Sequence, residues 1–153
     1  MSNRVKLHRL GQRLTDNDIE PSCSVMDVLN RSGRITHRVV IDCGLLPQQK
    51  ATKDGVAWHA PDLSLFEDGR PIDAVVITHV HTDHVGYLPA LSKYLSKNAK
   101  VIMTKPSWGI VAHGFRDGLS VNEKRGSKLP FSLAEMDDIL SRQRIIYRPG
   151  EYE

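Results

Sequence analysis

The stretch that most constrains this chain is Ala74-Val75-Val76-Ile77, followed at once by Thr78-His79-Val80-His81-Thr82-Asp83-His84. Its first four residues are apolar and mostly β-branched, which predicts a buried strand. A helical pattern opens at Gly86, so the ionisable residues fall on the loop between a strand end and a helix start. On an α/β scaffold such loops commonly carry binding sites. Residues two apart in an extended segment point the same way. His79 and His81 therefore direct two imidazoles at one point, as a zinc ion prefers. Asp83 and His84 follow where the chain turns and face a second point nearby. Two metals ~3.5–4 Å apart would polarise a phosphoryl or carbonyl oxygen and supply a nucleophile at neutral pH. A lone histidine here would read as a solvated polar group. Three histidines and an aspartate within six residues at a strand end read as ligands.

The flanking sequence predicts a β-meander leading into this strand. Arg4 to Leu10 alternates basic and apolar residues and reads as a first strand, Ser22 to Leu29 as a second, and Ile35 to Cys43 as a third that becomes wholly apolar at Val39-Val40-Ile41. Gly11 to Pro21 and Asn30 to Arg34 are polar and punctuated by turn formers. The third strand ends in Asp42, whose carboxylate serves there as a loop-organising acceptor or as a ligand. Leu45 to Arg70 carries Pro47, Gly55, Pro61 and Gly69 and reads as a long irregular connection with a short helical turn at 61–66. His59 within it reads as a surface or packing residue.

After the ligand loop, Tyr87, Leu88, Leu91, Tyr94 and Leu95 recur at helical spacing and predict a helix over 87–97, with Pro89 in its first turn. Its N-terminus would point at the ligands and favour an anion there. Lys100 to Thr104 reads as a strand, Ser107 to Arg116 as a helix weakened by Gly109 and Gly114, and 117–130 as a flexible loop. His113 on that helix reads as a packing or surface residue. Ser132 and Glu135 form a capping-box pattern ahead of a last helix, and Arg144 to Arg148 reads as a closing strand.

Composition narrows the class. With 153 residues, 40% hydrophobic and 25% charged, the chain is long enough for one modest globular domain. A net charge of +3 permits a nucleic-acid partner without demanding one. Two cysteines, Cys23 and Cys43, are too few for a disulfide framework and read as reduced core thiols, as in a cytoplasmic protein. Neither a signal peptide nor a run of membrane-spanning length is visible.

His79-Val80-His81-Thr82-Asp83-His84 resembles the HxHxDH signature of the metallo-β-lactamase superfamily. The resemblance implies that His79 and His81 bind one zinc ion and Asp83 and His84 a second, with Asp83 also orienting the attacking water. It implies that Asp42 is structural and holds the metal-binding loop. Further segments are similar to the β-CASP nucleases, which include ribonuclease J and the cleavage subunit of the mRNA 3′-end processing complex. These are Ile19-Glu20-Pro21-Ser22-Cys23, Ile41-Asp42-Cys43-Gly44-Leu45, Pro61-Asp62-Leu63, Ile72 to His79, Gly86 to Leu91 and Thr104-Lys105-Pro106.

The fold so implied is α/β: the N-terminal half of an αββα sandwich, a mixed sheet with helices on its outer face. The function implied is metal-dependent cleavage of phosphodiester bonds, RNA before DNA. The family's later ligand motifs, and the β-CASP insert, find no match in residues 1–153. The expectation is therefore a partial domain whose site, with two protein ligands per ion, is closed by a homodimer partner or a complementing chain. An apolar sheet face left open by half a sandwich would drive such pairing. Two alternatives stand beside this reading: a non-catalytic metal-binding or interaction module, and another hydrolase of the same superfamily acting on thioesters or lactams.

Overall fold

Apolar alternation along the strands resolves into one six-stranded mixed sheet in a computed structural model of the chain, which describes residues 4–11, 19–52, 55–124 and 129–145. Strands β1 (Arg4–Arg9), β2 (Ser24–Leu29) and β3 (Ile35–Ile41) form the antiparallel meander. A hairpin of β4 (Leu46–Thr52) and β5 (Gly55–His59) stands apart as a two-stranded sheet. Strand β6 (Ile72–Val76) then joins β3 in parallel, followed outward by β7 (Leu95–Met103) and β8 (Gln143–Ile145), both parallel to their neighbours. The order across the sheet is β1-β2-β3-β6-β7-β8.

Val25, Val40, Val75 and Val101 lie in register across four adjacent strands, each 0% exposed. Burying a side chain of this size is worth ~1.5–3 kcal/mol, so this row is a main tie of the sheet to its cover. Leu88 and Leu91 of a 3₁₀ segment supply that cover, with Trp108 and Phe115 of α2 (Lys105–Lys124) and Met136 and Ile139 of α3 (Leu133–Ser141). Ser132 and Glu135 make the expected capping box on α3, satisfying two N-terminal amide groups reciprocally. On the opposite face Met26, Val39, Val76 and Ile102 are only half-buried, and Leu7 is 72% exposed.

The covered face also buries one charge network. Arg38, 0% exposed on β3, donates to both oxygens of Asp27 on β2 at 2.8 and 3.0 Å and to both oxygens of Asp68 at 2.9 Å. A buried guanidinium is tolerable only when its fork is paired in this way. Hydrogen bonding to Asp27 outweighs burial and raises the Arg38 pKa further.

The α/β mixed sheet is as the sequence implies, and three local readings are corrected. Residues 45–70 are not irregular throughout: they hold the β4–β5 hairpin and a 3₁₀ turn at Ser64–Asp68. The helix expected over 87–97 is instead a 3₁₀ segment, Leu88–Tyr94, and Leu95 already opens β7. The helix expected over 107–116 runs from Lys105 to Lys124, through much of the expected loop. A Cβ built on Gly109, Gly114 or Gly118 would meet nothing within 4 Å, so these glycines lie where α2 has open space around it. Residues 12–18 of the first loop, 125–128 of the later one and 146–148 of the closing strand lie outside the described residues. Among the described residues no helix is long and apolar enough to cross a membrane.

Candidate metal centre

Parallel pairing of β3 and β6 brings the C-terminal ends of both strands to the same edge of the sheet. Asp42, just past β3, therefore sits beside Thr78, just past β6, with the Asp42 amide donating to the Val76 carbonyl at 3.0 Å. Asp42 has φ of 60°, a left-handed backbone that aspartate tolerates better than most residues. Its carboxylate, 3% exposed, accepts the Thr78 amide (2.8 Å), the Thr78 hydroxyl (2.8 Å) and His84 Nδ1 (2.8 Å). Three donors on one buried carboxylate fix the start and the end of the ligand loop to the same point.

The backbone is strapped as well. The amides of Cys43 and Leu45 donate to the carbonyls of His84 and Thr82 at 2.7 and 2.9 Å, and that of Ser22 donates to Asp83 at 2.7 Å. Gly44 allows this approach, since a Cβ there would lie 1.7 Å from the Asp83 carbonyl oxygen. Cys23 and Cys43 are free, buried thiols packed into the same region. Burial, with Cys23 hydrogen-bonded beside it, pushes the Cys43 thiol well up.

The four expected ligands gather on this frame. The rings of His79 and His81 meet edge to face at 4.7 Å between centroids, as their two-residue spacing on extended backbone dictates. His79 lies against His84 at 3.8 Å. His84 Nε2 is 3.6 Å from Asp83 Oδ2. Asp83 and His84 belong to α1, a single turn spanning Thr82–Val85. Asp83 and His84 thus lie within that turn and His79 and His81 before it, and the long helix expected to aim its N-terminus at them does not exist. His59 is buried on β5 and His113 lies on α2, neither among these contacts.

Proton counting assigns one tautomer. A carboxylate only accepts, so His84 Nδ1 carries the proton it gives to Asp42, which in the neutral ring leaves the lone pair on Nε2. An imidazole held in this way by a carboxylate is oriented and made more basic for ligation. The donor chemistry, three imidazoles and a carboxylate, suits zinc. The number converging on any one point falls short: among the described residues no group of three or more His, Cys, Asp or Glu side chains is disposed to hold an ion. Beside His84 opens a cleft of about 440 Å³ lined by Arg9, Glu20, Ser22, Cys23 and Ser24, with Arg9 ion-paired to Glu20. Thr78 and Gly44 were not singled out by the sequence reading. A threonine at a strand end and a glycine after it carry no signal until the two strand ends are known to be neighbours.

Residues 32–134 match the family described as the metallo-beta-lactamase superfamily. The chain is 32% identical over 103 residues to the transcription termination factor FttA of Methanococcus maripaludis, covering 67% of this chain and 15% of that protein. It is 36% identical over 94 residues to ribonuclease J of Mycobacterium tuberculosis, covering 60% and 16%. It is 26% identical over 123 residues to the Integrator complex subunit 11 homolog of Dictyostelium discoideum, covering 78% and 15%. The chain thus spans only a small part of the length of these relatives. They are of the β-CASP nuclease type that the sequence resembles.

Proposed function

The chain belongs to the metallo-beta-lactamase superfamily, and from that premise we propose that it is the ligand-bearing part of a zinc-dependent nuclease that cleaves RNA in preference to DNA. The observation that carries this reading is the gathering of His79, His81, Asp83 and His84 at one strand end, braced by Asp42. The preference for RNA is supported by relatives named a ribonuclease and a transcription termination factor.

His79 and His81 would hold one ion, and Asp83 and His84 the other. When bound, zinc supplies Lewis-acid polarisation of a phosphoryl oxygen and a nucleophile at neutral pH. The chain's own residues do the remaining work. Asp83 orients the attacking water and accepts its proton. Asp42 holds the His84 ring so that Nε2 faces outward. A nucleic-acid strand would lie in the cleft beside His84, where Arg9 is paired with Glu20. Two donors per ion make binding weak, so donors beyond these four would be needed to close each site. The half-covered face around Leu7, Met26 and Val39 offers a surface for a second copy or a complementing chain. Buried free thiols accord with a cytoplasmic setting.

The test is turnover of single-stranded RNA, single-stranded DNA and a β-lactam with zinc in excess. The expected result is cleavage of RNA ahead of DNA, abolished by a chelator and by Asp83→Asn. Hydrolysis of the lactam alone would sink the nuclease reading. A second reading is a non-catalytic metal-binding or interaction module that keeps the loop. Zinc bound tightly, by a site that is complete, without turnover of any of these substrates would select it.

A further inference from the structure

His84 owes its tautomer to Asp42, but His79 makes no contact with that carboxylate. Its Nδ1 lies 3.1 Å from the Thr78 hydroxyl oxygen. The same oxygen is 2.8 Å from Asp42 Oδ2 and 3.5 Å from His84 Nδ1. Thr78 therefore stands at the centre of a small network that touches one ligand of each proposed pair.

A hydroxyl has a single proton to give. The neighbours of Thr78 decide where it goes. Asp42, being a carboxylate, can only accept, and it lies closer than either imidazole. The Thr78 proton is committed to Asp42, and only lone pairs remain toward His79. For the 3.1 Å contact to be a hydrogen bond, His79 Nδ1 must be the donor. In the neutral ring its Nε2 then keeps the lone pair. Thr78 is exposed but pinned at both ends, its amide donating to Asp42 Oδ1 while its hydroxyl donates to Oδ2, so its oxygen is held in place toward His79.

We propose that Thr78 is a positioning residue that fixes His79 as the Nδ1–H tautomer, so that one buried carboxylate sets the ligating nitrogen of both His79 and His84, of one directly and of the other through a hydroxyl. The metal consequence rests on the zinc reading above; the tautomer assignment does not.

The experiment uses the full chain without metal, with long-range proton–nitrogen correlation spectra of the imidazoles at a pH where they are neutral. Wild type shows His79 and His84 as Nδ1–H. In Thr78→Val, which keeps the shape and the amide contact, His79 leaves that tautomer while His84 keeps it. Thr78→Ser restores His79. Amide fingerprint spectra establish that both variants fold. In zinc titrations the valine variant binds ~10–100-fold more weakly and the serine variant recovers. If His79 stays Nδ1–H in Thr78→Val, or if wild type binds zinc and that variant binds it as tightly, the proposal is overturned. If wild type takes up no zinc yet the tautomers respond as stated, the assignment of Thr78 stands and the zinc reading falls.

Discussion

Asp42 shows how much one residue organises here. It takes a left-handed backbone so that the chain leaving β3 turns under the end of β6, and its carboxylate then receives three donors. Asp42→Asn is a clean probe, because asparagine tolerates the same φ but places an NH₂ group where an oxygen had accepted. We expect zinc affinity to drop ~10–100-fold, measured by competition with a chromophoric chelator; affinity within twofold of wild type would refute the bracing role. Gly44 tests the strap rather than the ligands. An alanine Cβ would fall 1.7 Å from the Asp83 oxygen and 2.1 Å from its carbonyl carbon, both backbone atoms. Neither can swing aside without breaking the Ser22 and Cys43 hydrogen bonds to the ligand turn. Gly44→Ala should cost about 3 kcal/mol or more in urea unfolding, whereas a loss under about 1 kcal/mol would mean the turn is free to move.

At the scale of elements, what the sequence made legible tracked the strength of the periodic signal. β6 was readable as a short, mostly β-branched apolar run, and β3 because it alternates early and turns wholly apolar at Val39-Val40-Ile41. The segment after the ligands was not, because apolar residues three and four apart serve a 3₁₀ turn and a strand start as well as an α-helix. α2 was underread because Gly109 and Gly114 look like helix breakers, yet both have open space about them. The meeting of His79 and His81 was legible, since their spacing on extended backbone brings the two rings together. Its support was not, because the meeting of Asp42 and Thr78 depends on β3 and β6 pairing in parallel.

The buried Arg38 network ties β2, β3 and the 3₁₀ turn together, and it carries a pH signature. Hydrogen bonds from Arg38 hold the Asp68 carboxyl below the ordinary range. Because the folded value is depressed, its contribution is present above the unfolded pKa of ~3.9 and is lost as pH falls through the folded value. Stability should therefore decline in acid below about pH 4, and more shallowly in Asp68→Asn. Asp27→Asn leaves Arg38 buried with half its pairing and should cost ~3–5 kcal/mol, measured by chemical denaturation at neutral pH.

Across the whole molecule, helices cover one face of the sheet and leave the other half-open. The proposed partial domain turns that asymmetry into an expectation. The chain should associate with itself or with a complementing chain through the face that carries Leu7, Met26 and Val39, and Leu7→Lys with Val39→Lys should weaken that association at least tenfold in sedimentation analysis. An unchanged association constant would place the contact elsewhere. The whole account also requires that the donors at the end of β6 face divalent cations. The direct measurement is an anomalous difference map at the zinc edge from a zinc-soaked crystal. The account predicts density bonded to His79 and His81, and to Asp83 and His84, with His84 Nδ1 still on Asp42. Rings and carboxylate turned apart, with no anomalous peak among them, would contradict it.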